Sequence, residues 1–399
     1  MCRSLEHLLM PASPSIVSIS HHGLQRIHNG HLWIYRSDLT QIDAQAGDVV
    51  RVVDARRRFV GQALYSDQSQ IALRLLTRTD EAIDAAWWRS RLDAAWRVRQ
   101  TLAIDATAYR IVHGEGDLLP SLIVDRYGDL LVVQTLSQGT DRLLPVIRDQ
   151  LVELFEPAGI LARNDPKVRL LEGLEQRVET IYGTVPDRVG VREGPTDYQV
   201  DVRRGQKTGL FLDQRENREA AAHYARGRLL DCFSYQGGFL LRLARQCDSA
   251  LALEISEEAC GALRDTAVLN GITNVEVRNA NVFDTLRDLE RGQERFDTIV
   301  LDPPAFAKRK TAVPRALSGY KEINLRALRL LRLGGHLITC TCSAHVDEAT
   351  FGEVVFSAAV DAHAPVVVVE KRMQSRDHPV LLGVPETYYL KCLILRRIA

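Results

Sequence analysis

Two short runs in this chain bring together residue types capable of covalent chemistry. Leu301-Asp302-Pro303-Pro304-Ala305-Phe306 sets a carboxylate before two prolines. Thr339-Cys340-Thr341-Cys342-Ser343 sets two thiols a single residue apart. A residue preceding proline is held extended, and the prolines fix φ and remove backbone donors. Asp302 therefore stands on a rigid lip at the end of an apolar strand. Cys340 and Cys342 close a second strand, and on an ideal strand both turn to one side. Carboxylate, lip and thiol together suit covalent chemistry on a flat ring such as a nucleobase. Carbon 5 of cytosine is a poor nucleophile until a thiolate adds at carbon 6 and makes it enamine-like. Asp302 would stabilise that adduct by hydrogen bonding or proton donation at ring nitrogen 3. Cys342 is read as the nucleophile. Cys340 is read as a packing thiol, because buried cysteines are common small hydrophobes. Methylation of an amine would leave the thiol without a task.

These residues must be carried by a particular scaffold. From about residue 203 strands and helices alternate. Leu229–Phe233, Ala250–Ile255, Val275–Arg278, Thr298–Leu301 and Leu337–Cys340 read as strands. Phe239–Gln246 and Glu257–Leu269 read as helices between them. That alternation predicts an α/β, doubly wound parallel sheet. Ligands of such sheets sit at the carboxyl ends of the strands. Phe233-Ser234-Tyr235-Gln236-Gly237-Gly238 falls there, and its glycines let backbone approach a ligand closely. Glu254 ends the second strand, placed to accept hydrogen bonds from ribose hydroxyls, and Asn281 follows the third, placed to face an adenine edge. The loop is not G-x-G-x-x-G, and the chain has no G-x-x-x-x-G-K-[ST]. A glycine-rich turn and a ribose acid without a phosphate cradle fit S-adenosylmethionine, which has a ribose and an adenine but no phosphate.

The remainder of the chain is organised differently. At 399 residues it predicts two or three domains. Ile16–Ile19, Asp48–Asp54, Phe59–Tyr65 and Ile71–Leu76 read as short strands, with one helix over His22–Asn29. They predict a small β-barrel over residues 14–92. Trp87–Ala103 reads as a linking helix. Strands at Ile111–His113, Leu122–Asp125 and Leu130–Thr135, with a helix over Leu143–Phe155, predict a small α+β middle domain over residues 93–200. Residues 201–399 then form the sheet domain. Just before it, Gln206-Lys207-Thr208-Gly209-Leu210-Phe211-Leu212-Asp213-Gln214-Arg215 leads into a helix. Asp213 is expected to cap that helix. Lys207 and Arg215 can meet anionic groups, either a cofactor carboxylate or RNA phosphate. Asp213 and Arg215 are assigned to the cofactor and Lys207 to RNA.

Charge and cysteine usage narrow the classes. Lys plus Arg and Asp plus Glu both number 51, which argues against a basic protein that coats nucleic acid indiscriminately. Local clusters remain at Arg56-Arg57-Arg58, Arg203-Arg204 and Lys308-Arg309-Lys310. The last follows the Asp-Pro-Pro lip, where a substrate strand must cross and its phosphates need neutralising. No apolar run is long enough to span a membrane, and Met1–Ser20 lacks the apolar core of a signal peptide. The seven cysteines have no Cys-x-x-Cys spacing and fit neither a disulfide framework nor a zinc site, so no metal is expected and a cytoplasmic location is.

The combination of motifs resembles one family: bacterial large-subunit ribosomal RNA cytosine-5 methyltransferases that carry an N-terminal PUA domain. The resemblance runs from about Ser15 to the end. It rests on His31-Leu32-Trp33-Ile34-Tyr35, Gly116-Asp117-Leu118-Leu119-Pro120 and Ile123-Val124-Asp125-Arg126-Tyr127-Gly128. It continues through Lys207-Thr208-Gly209, Asp213-Gln214-Arg215, Cys232-Phe233-Ser234-Tyr235 and Gly237-Gly238-Phe239. It closes with Leu301-Asp302-Pro303-Pro304, Gly319-Tyr320-Lys321, Ile323-Asn324 and Cys342-Ser343. The resemblance implies a Rossmann-like class I methyltransferase sheet behind a PUA-like barrel. It implies S-adenosylmethionine at Phe233, Ser234, Tyr235, Gly237, Gly238, Glu254, Asn281 and Asp302, with Cys342 as nucleophile. It implies large-subunit ribosomal RNA as partner, gripped by the barrel and middle domain, and it allows a homodimer. Two positions depart from the family pattern: Ala305 stands where Lys is common, and Asn281 where Asp is usual.

Three other readings compete. An RNA guanine methyltransferase of a related Asp-Pro-Pro fold would have no use for Cys342. A non-catalytic RNA-binding assembly factor would keep the pocket without transferring methyl groups. A small-molecule methyltransferase would have no use for the two additional domains.

Overall fold

The computed structural model describes residues 15–307 and 309–399. It forms two compact units. One comprises residues up to Val191 with Val200–Leu212 and Arg376–Thr387. The other comprises Arg192–Gln199, Asp213–Ser375 and Tyr388–Ala399. Among the described residues no helix is long and apolar enough to cross a membrane.

The first unit contains two sheets. Six strands run in the order Trp33–Tyr35, Ile71–Thr77, Phe59–Tyr65, Val49–Val53, Ile16–Ile19, Leu39–Asp43. Val17, Ile19, Val50, Val52, Leu73 and Leu75 alternate along these strands and bury one shared face. The helix His21–His28 begins at Ser20, whose side chain accepts the Gly23 N–H. Five further strands run Arg177–Gly183, Gly159–Asn164, Leu130–Thr135, Leu122–Tyr127, Ala108–His113. Helices Ala85–Thr101 and Leu144–Phe155 pack on them. Leu64 and Leu76 of the six-stranded sheet join the apolar core of the five-stranded one, so the two sheets share buried surface.

This unit also explains why two separated motifs occur together. Thr208 Oγ1 donates to Asp125 Oδ2 at 2.7 Å and lies 3.0 Å from the Tyr127 hydroxyl. The Leu210 N–H donates to the same hydroxyl at 3.0 Å. Gly209 between them has φ +142°, and a Cβ there would come within 2.6 Å of Val200 Cγ1. The Lys207-Thr208-Gly209 turn is thus fastened to the strand that carries Asp125 and Tyr127.

The second unit is the expected α/β sheet. Its strands are β1 (Arg228–Cys232), β2 (Ser249–Glu254), β3 (Val275–Asn279), β4 (Phe296–Leu301), β5 (Leu331–Thr341), β6 (Val366–Met373) and β7 (Lys391–Arg397). Their order is β3-β2-β1-β4-β5-β7-β6. The strands from β3 to β5 are parallel; β7 is antiparallel to both neighbours. The helices are α1 (Arg215–Ala222), α2 (Gly238–Leu243), α3 (Glu257–Leu269), α4 (Val282–Arg291), α5 (Val313–Leu330) and α6 (Glu348–Asp361). Two apolar layers result. Leu230, Leu251, Ile299 and Leu337 face α4, α5 and α6, whereas Leu229, Ala252, Val300 and Ile338 face α1, α2 and α3. Buried on both faces, the central strands read as continuous apolar runs, as parallel strands do.

Candidate active site

Sheet register alone assembles most of the expected site. The order of strands reverses at β1, which lies between β2 and β4, and such a reversal opens a crevice at the carboxyl ends. Cys232 pairs with both Leu253 and Leu301, so Phe233, Glu254 and Asp302 each begin one residue past the same rung. Leu301 pairs with Thr339, which brings Cys342 to the neighbouring strand end.

The loop after β1 is built under backbone constraint. Phe233 (φ 62°), Tyr235 (φ 48°) and Gly237 (φ 83°) all occupy the left-handed region. Non-glycine residues in that region cost energy and persist where their surroundings over-determine them. Here the Ser234 N–H donates to Leu253 O (3.2 Å), the Ser234 hydroxyl to Asp231 O (2.8 Å), and the Gly237 N–H to Ser234 O (2.8 Å). A Cβ on Gly237 would approach Leu263 Cγ to 2.9 Å, and one on Gly238 would meet Arg218 Nη1 at 3.0 Å. Arg218 is itself held by two bonds to the buried Glu193 carboxylate, at 2.7 and 2.5 Å.

Glu254 accepts the Tyr235 N–H at Oε2 and the Ser256 N–H at Oε1, both at 2.9 Å. Its half-buried carboxylate is therefore oriented at the crevice. Asp231, beneath the loop, is fully buried and accepts the Leu240 N–H at 3.1 Å. Burial pushes its carboxyl up to about 8, and the nearby Asp302 and Glu254 charges add to the effect. With Asp231 neutral, Glu254 and Asp302 are the carboxylates at the two strand ends flanking β1.

Asp302 is half-buried, and its Oδ1 accepts Gln214 Nε2 at 2.8 Å. The Cys342 thiol, also half-buried, points at Pro303 O with Sγ 4.0 Å away. Lip and thiol are thus neighbours. Cys340 differs from Cys342: it is fully buried opposite Cys392, and burial pushes its thiol well up. Ser343 ties the two strand ends together. Its Oγ accepts the Ala307 N–H at 3.2 Å and lies 2.9 Å from the Tyr320 hydroxyl, which accepts Thr341 Oγ1 at 2.8 Å.

Other expected residues take more specific places. Asn281 caps α4, accepting the Phe283 and Asp284 N–H groups at 2.9 and 3.3 Å. Asp213 does not cap α1, contrary to the sequence expectation. Its Oδ2 accepts the Tyr389 hydroxyl at 2.7 Å, and the Glu216 N–H at the helix start is taken by Ser375 Oγ at 3.0 Å. Arg215 is buried in the first turn of α1. Lys207 lies in the first unit with φ 54°, its ammonium 4.5 Å from the centre of the Phe211 ring. Arg309 is exposed. Lys308 lies outside the described residues, and Lys310 begins a short 3-10 turn.

Sequence reasoning assigned no role to Gln214, Tyr389, Phe283 or Phe306; Phe283 and Phe306 group with the expected Phe233, with ring centres 6.0–6.4 Å apart. The Phe306 ring also lies 4.7 Å from that of Tyr320, tilted by 36°. Phe306 was visible as the end of the Asp-Pro-Pro run; Phe283 carried no local signal. An apolar wall from these rings, a strained turn and an oriented acid fit a nucleoside cofactor without phosphate. Among the described residues no group of three His, Cys, Asp or Glu side chains could hold a metal ion.

Comparison with known proteins agrees with this geometry. Residues 17–78 match the PUA-like domain family, and residues 110–396 match the S-adenosylmethionine-dependent methyltransferase family. Ribosomal RNA large subunit methyltransferase I of Tolumonas auensis is 38% identical, covering 92% of this chain and 96% of its own. The protein of that name from Aliivibrio fischeri is 36% identical over 90% and 94%. Among solved structures, SMU.776 complexed with SAH aligns with a TM-score of 0.83 at 19% identity, covering 96% of this chain and 99% of that one. Trm5b from Pyrococcus abyssi aligns over the same shares with a TM-score of 0.52 at 15% identity. These structural likenesses speak to fold. The chain belongs to the S-adenosylmethionine-dependent methyltransferase family that includes ribosomal RNA large subunit methyltransferase I.

Proposed function

We propose that this protein methylates carbon 5 of a cytosine in large-subunit ribosomal RNA through a covalent adduct on Cys342. The observation that carries this reading is the Cys342 thiol beside the Asp302-Pro303 lip, with Sγ 4.0 Å from Pro303 O. Amine methylation requires an oriented amine and no thiol at that position.

When bound, S-adenosylmethionine supplies an activated methyl group on its sulfonium. Phe233, Ser234, Tyr235, Gly237, Gly238, Glu254 and Asn281 would line its nucleoside, with Asp302, Asp213 and Arg215 towards its amino-acid end. The protein's own residues prepare the acceptor. The Cys342 thiolate forms a bond to carbon 6 of the ring, and the electrons of the 5,6 double bond become available at carbon 5. Asp302, fixed by Gln214, hydrogen-bonds or protonates nitrogen 3 and stabilises the adduct. After methylation a base takes the carbon-5 proton. The electrons of that C–H bond re-form the double bond and expel the thiolate. The cytosine must be flipped or already unpaired to reach the crevice.

RNA is gripped outside the crevice in this reading. Residues 14–92 act as the PUA-like RNA-binding domain, residues 93–200 as an α+β middle domain and residues 201–399 as the methyltransferase domain. Lys207, Lys308, Arg309 and Lys310 meet phosphates. The name of the curated relatives supports ribosomal RNA as the substrate.

The test is methyl transfer from labelled S-adenosylmethionine to unmodified large-subunit RNA, followed by nucleoside mass analysis. Label should appear in 5-methylcytidine and vanish in Cys342→Ala. Label in a guanine nucleoside, with Cys342→Ala fully active, would replace the cytosine assignment.

A further inference from the structure

One buried ion pair beside the cofactor loop has no part in the steps above. Arg218 on α1 is 5% exposed and Glu193 is 8% exposed. Arg218 Nε and Nη2 donate to the two carboxylate oxygens of Glu193 at 2.7 and 2.5 Å, a bidentate fork that fixes the guanidinium plane. The same side chain lies against Gly238. A Cβ on that glycine would meet Arg218 Nη1 at 3.0 Å, Cδ at 3.3 Å and Cζ at 3.5 Å. The space at Gly238 is therefore set by where Glu193 holds the guanidinium. Glu193 itself opens a turn that is fastened to the segments following α2 and α3. Pro195 O accepts Arg245 Nη2 at 3.0 Å, the Asp197 N–H donates to Asn270 Oδ1 at 2.9 Å, and Asn270 Nδ2 donates to Asp197 O at 2.7 Å. Arg192–Gln199 thus belongs to the compact unit of the sheet, although it precedes α1 in the chain. Desolvation offsets much of the attraction in a buried pair, which leaves stability alone a poor account of this one.

We propose that Arg218, anchored by Glu193, is a positioning residue for the cofactor: the fixed guanidinium abuts Gly238 and holds the Phe233–Gly238 turn in the shape that S-adenosylmethionine meets. This rests on the reading of that turn as the cofactor loop. The turn needs support from outside. Phe233, Tyr235 and Gly237 occupy the left-handed region, and such a conformation persists where the surroundings over-determine it. Glu254 and Leu253 hold the loop from β2, through the Tyr235 and Ser234 N–H groups. Arg218 closes its other side, at the residue where the turn becomes α2. Only arginine supplies both a planar fork for the carboxylate and a flat surface for the glycine; a lysine keeps the charge and loses both. Cofactor affinity then depends on a turn, Arg192–Gln199, that stands outside the alternating strands and helices of the sheet.

The experiment separates cofactor affinity from folding in the full-length protein. SAH binding is titrated calorimetrically, and methyl transfer to large-subunit RNA is followed against S-adenosylmethionine concentration. Arg218→Lys keeps the charge and loses the fork; Glu193→Gln keeps an acceptor and loses the charge. Each should weaken SAH binding and raise KM for S-adenosylmethionine by about tenfold, with kcat at saturating cofactor and KM for RNA within about twofold of the wild type. The double variant should be no weaker than the worse single one, because both changes act through one contact. Gly238→Ala should cost about tenfold in SAH affinity where the pinned Nη1 cannot give way, and less than about threefold in Arg218→Lys, which has no Nη1. A purely structural role predicts less folded enzyme, hence a lower kcat and a lower binding stoichiometry at unchanged affinity. That result, or an equal cost of Gly238→Ala in both backgrounds, would overturn the proposal. The parent reading fails differently: Glu254→Ala would then leave SAH affinity unaltered, whatever the Arg218 variants do.

Discussion

Gln214 joins two parts of the crevice: its Nε2 donates to Asp302 Oδ1 at 2.8 Å while its Oε1 accepts Asn217 Nδ2 at 2.6 Å. Asn217 Oδ1 in turn accepts Arg372 Nε at 3.1 Å. The chain of contacts defines which end of the Gln214 amide faces the aspartate. The Gln214 donor thereby fixes the position of one oxygen of the Asp302 carboxylate at the crevice. Gln214→Met preserves length and removes the donor. Its kcat/KM for RNA should fall about tenfold, equivalent to ~1.4 kcal/mol of transition-state stabilisation. A value within twofold of the wild type would make the contact incidental to Asp302 function.

Glu254 holds the loop as well as facing the crevice. Its two oxygens accept the Tyr235 and Ser256 N–H groups, the first from a residue itself in the left-handed region. Glu254→Ala removes both acceptors and the negative charge available to ribose hydroxyls. Calorimetric titration with SAH should give affinity weaker by on the order of a hundredfold. Glu254→Gln keeps an acceptor at one oxygen and should lose roughly tenfold, since hydrogen bonds to a charged group are worth about 1.5–3 kcal/mol. Equal affinities for the two variants would mean that the loop tolerates loss of the acceptor and that only charge matters.

How much of this was legible from sequence follows from the distances involved. The α3 helix was read with its observed ends because Ser256 caps it and apolar residues recur at helical spacing. The strands β1 to β4 were read to within two residues, and Phe233, Glu254 and Asp302 were legible because parallel strands end together at one rim. Strands β6 and β7 were not read. The pairing of Lys391–Arg397 with Leu331–Thr341 joins segments far apart along the chain, which no local pattern reveals. The Thr341–Lys391 pair was hidden for that reason: nothing near either residue in sequence shows that the other will lie opposite. Asp213 misled for a related reason. Its local pattern is that of a helix cap, but Tyr389 and Ser375, more than 150 residues later in number, take over the contacts.

Ser343 is expected to matter through order rather than chemistry. It accepts the Ala307 N–H and meets Tyr320, so it clamps the segment after the two prolines onto the end of β5. Ser343→Ala leaves a buried N–H without its acceptor, at a cost of about 1–3 kcal/mol. The urea midpoint should fall, and limited proteolysis between Pro304 and Val313 should accelerate. Unchanged cleavage with a lowered midpoint would assign Ser343 to general stability alone.

Arg309 tests the RNA surface without touching the crevice. It is exposed after the Asp-Pro-Pro lip, where the proposed substrate strand crosses. Each phosphate contact contributes a salt-dependent term through counterion release. Arg309→Ala should weaken RNA binding at low salt and reduce the slope of log K against log salt by about one. SAH affinity should stay at the wild-type value. A variant with an unaltered slope would place the RNA path elsewhere.

Asp231 supplies a pH signature of its own. Its carboxyl is pushed up to about 8 by burial, against an unfolded value of 3.8. Between those values the folded protein holds a proton that the unfolded chain releases. Stability from this group is therefore complete below about 3.8 and is lost progressively as pH rises towards 8. Asp231→Asn keeps an oxygen to accept the Leu240 N–H and never ionises. Its thermal midpoint should exceed that of the wild type by an amount that grows from pH 5 to pH 8, reaching on the order of 5 °C. Thermal unfolding across that range decides the matter. A difference that stays constant with pH would mean that Asp231 is already ionised in the folded protein, and that the crevice carries a third negative charge.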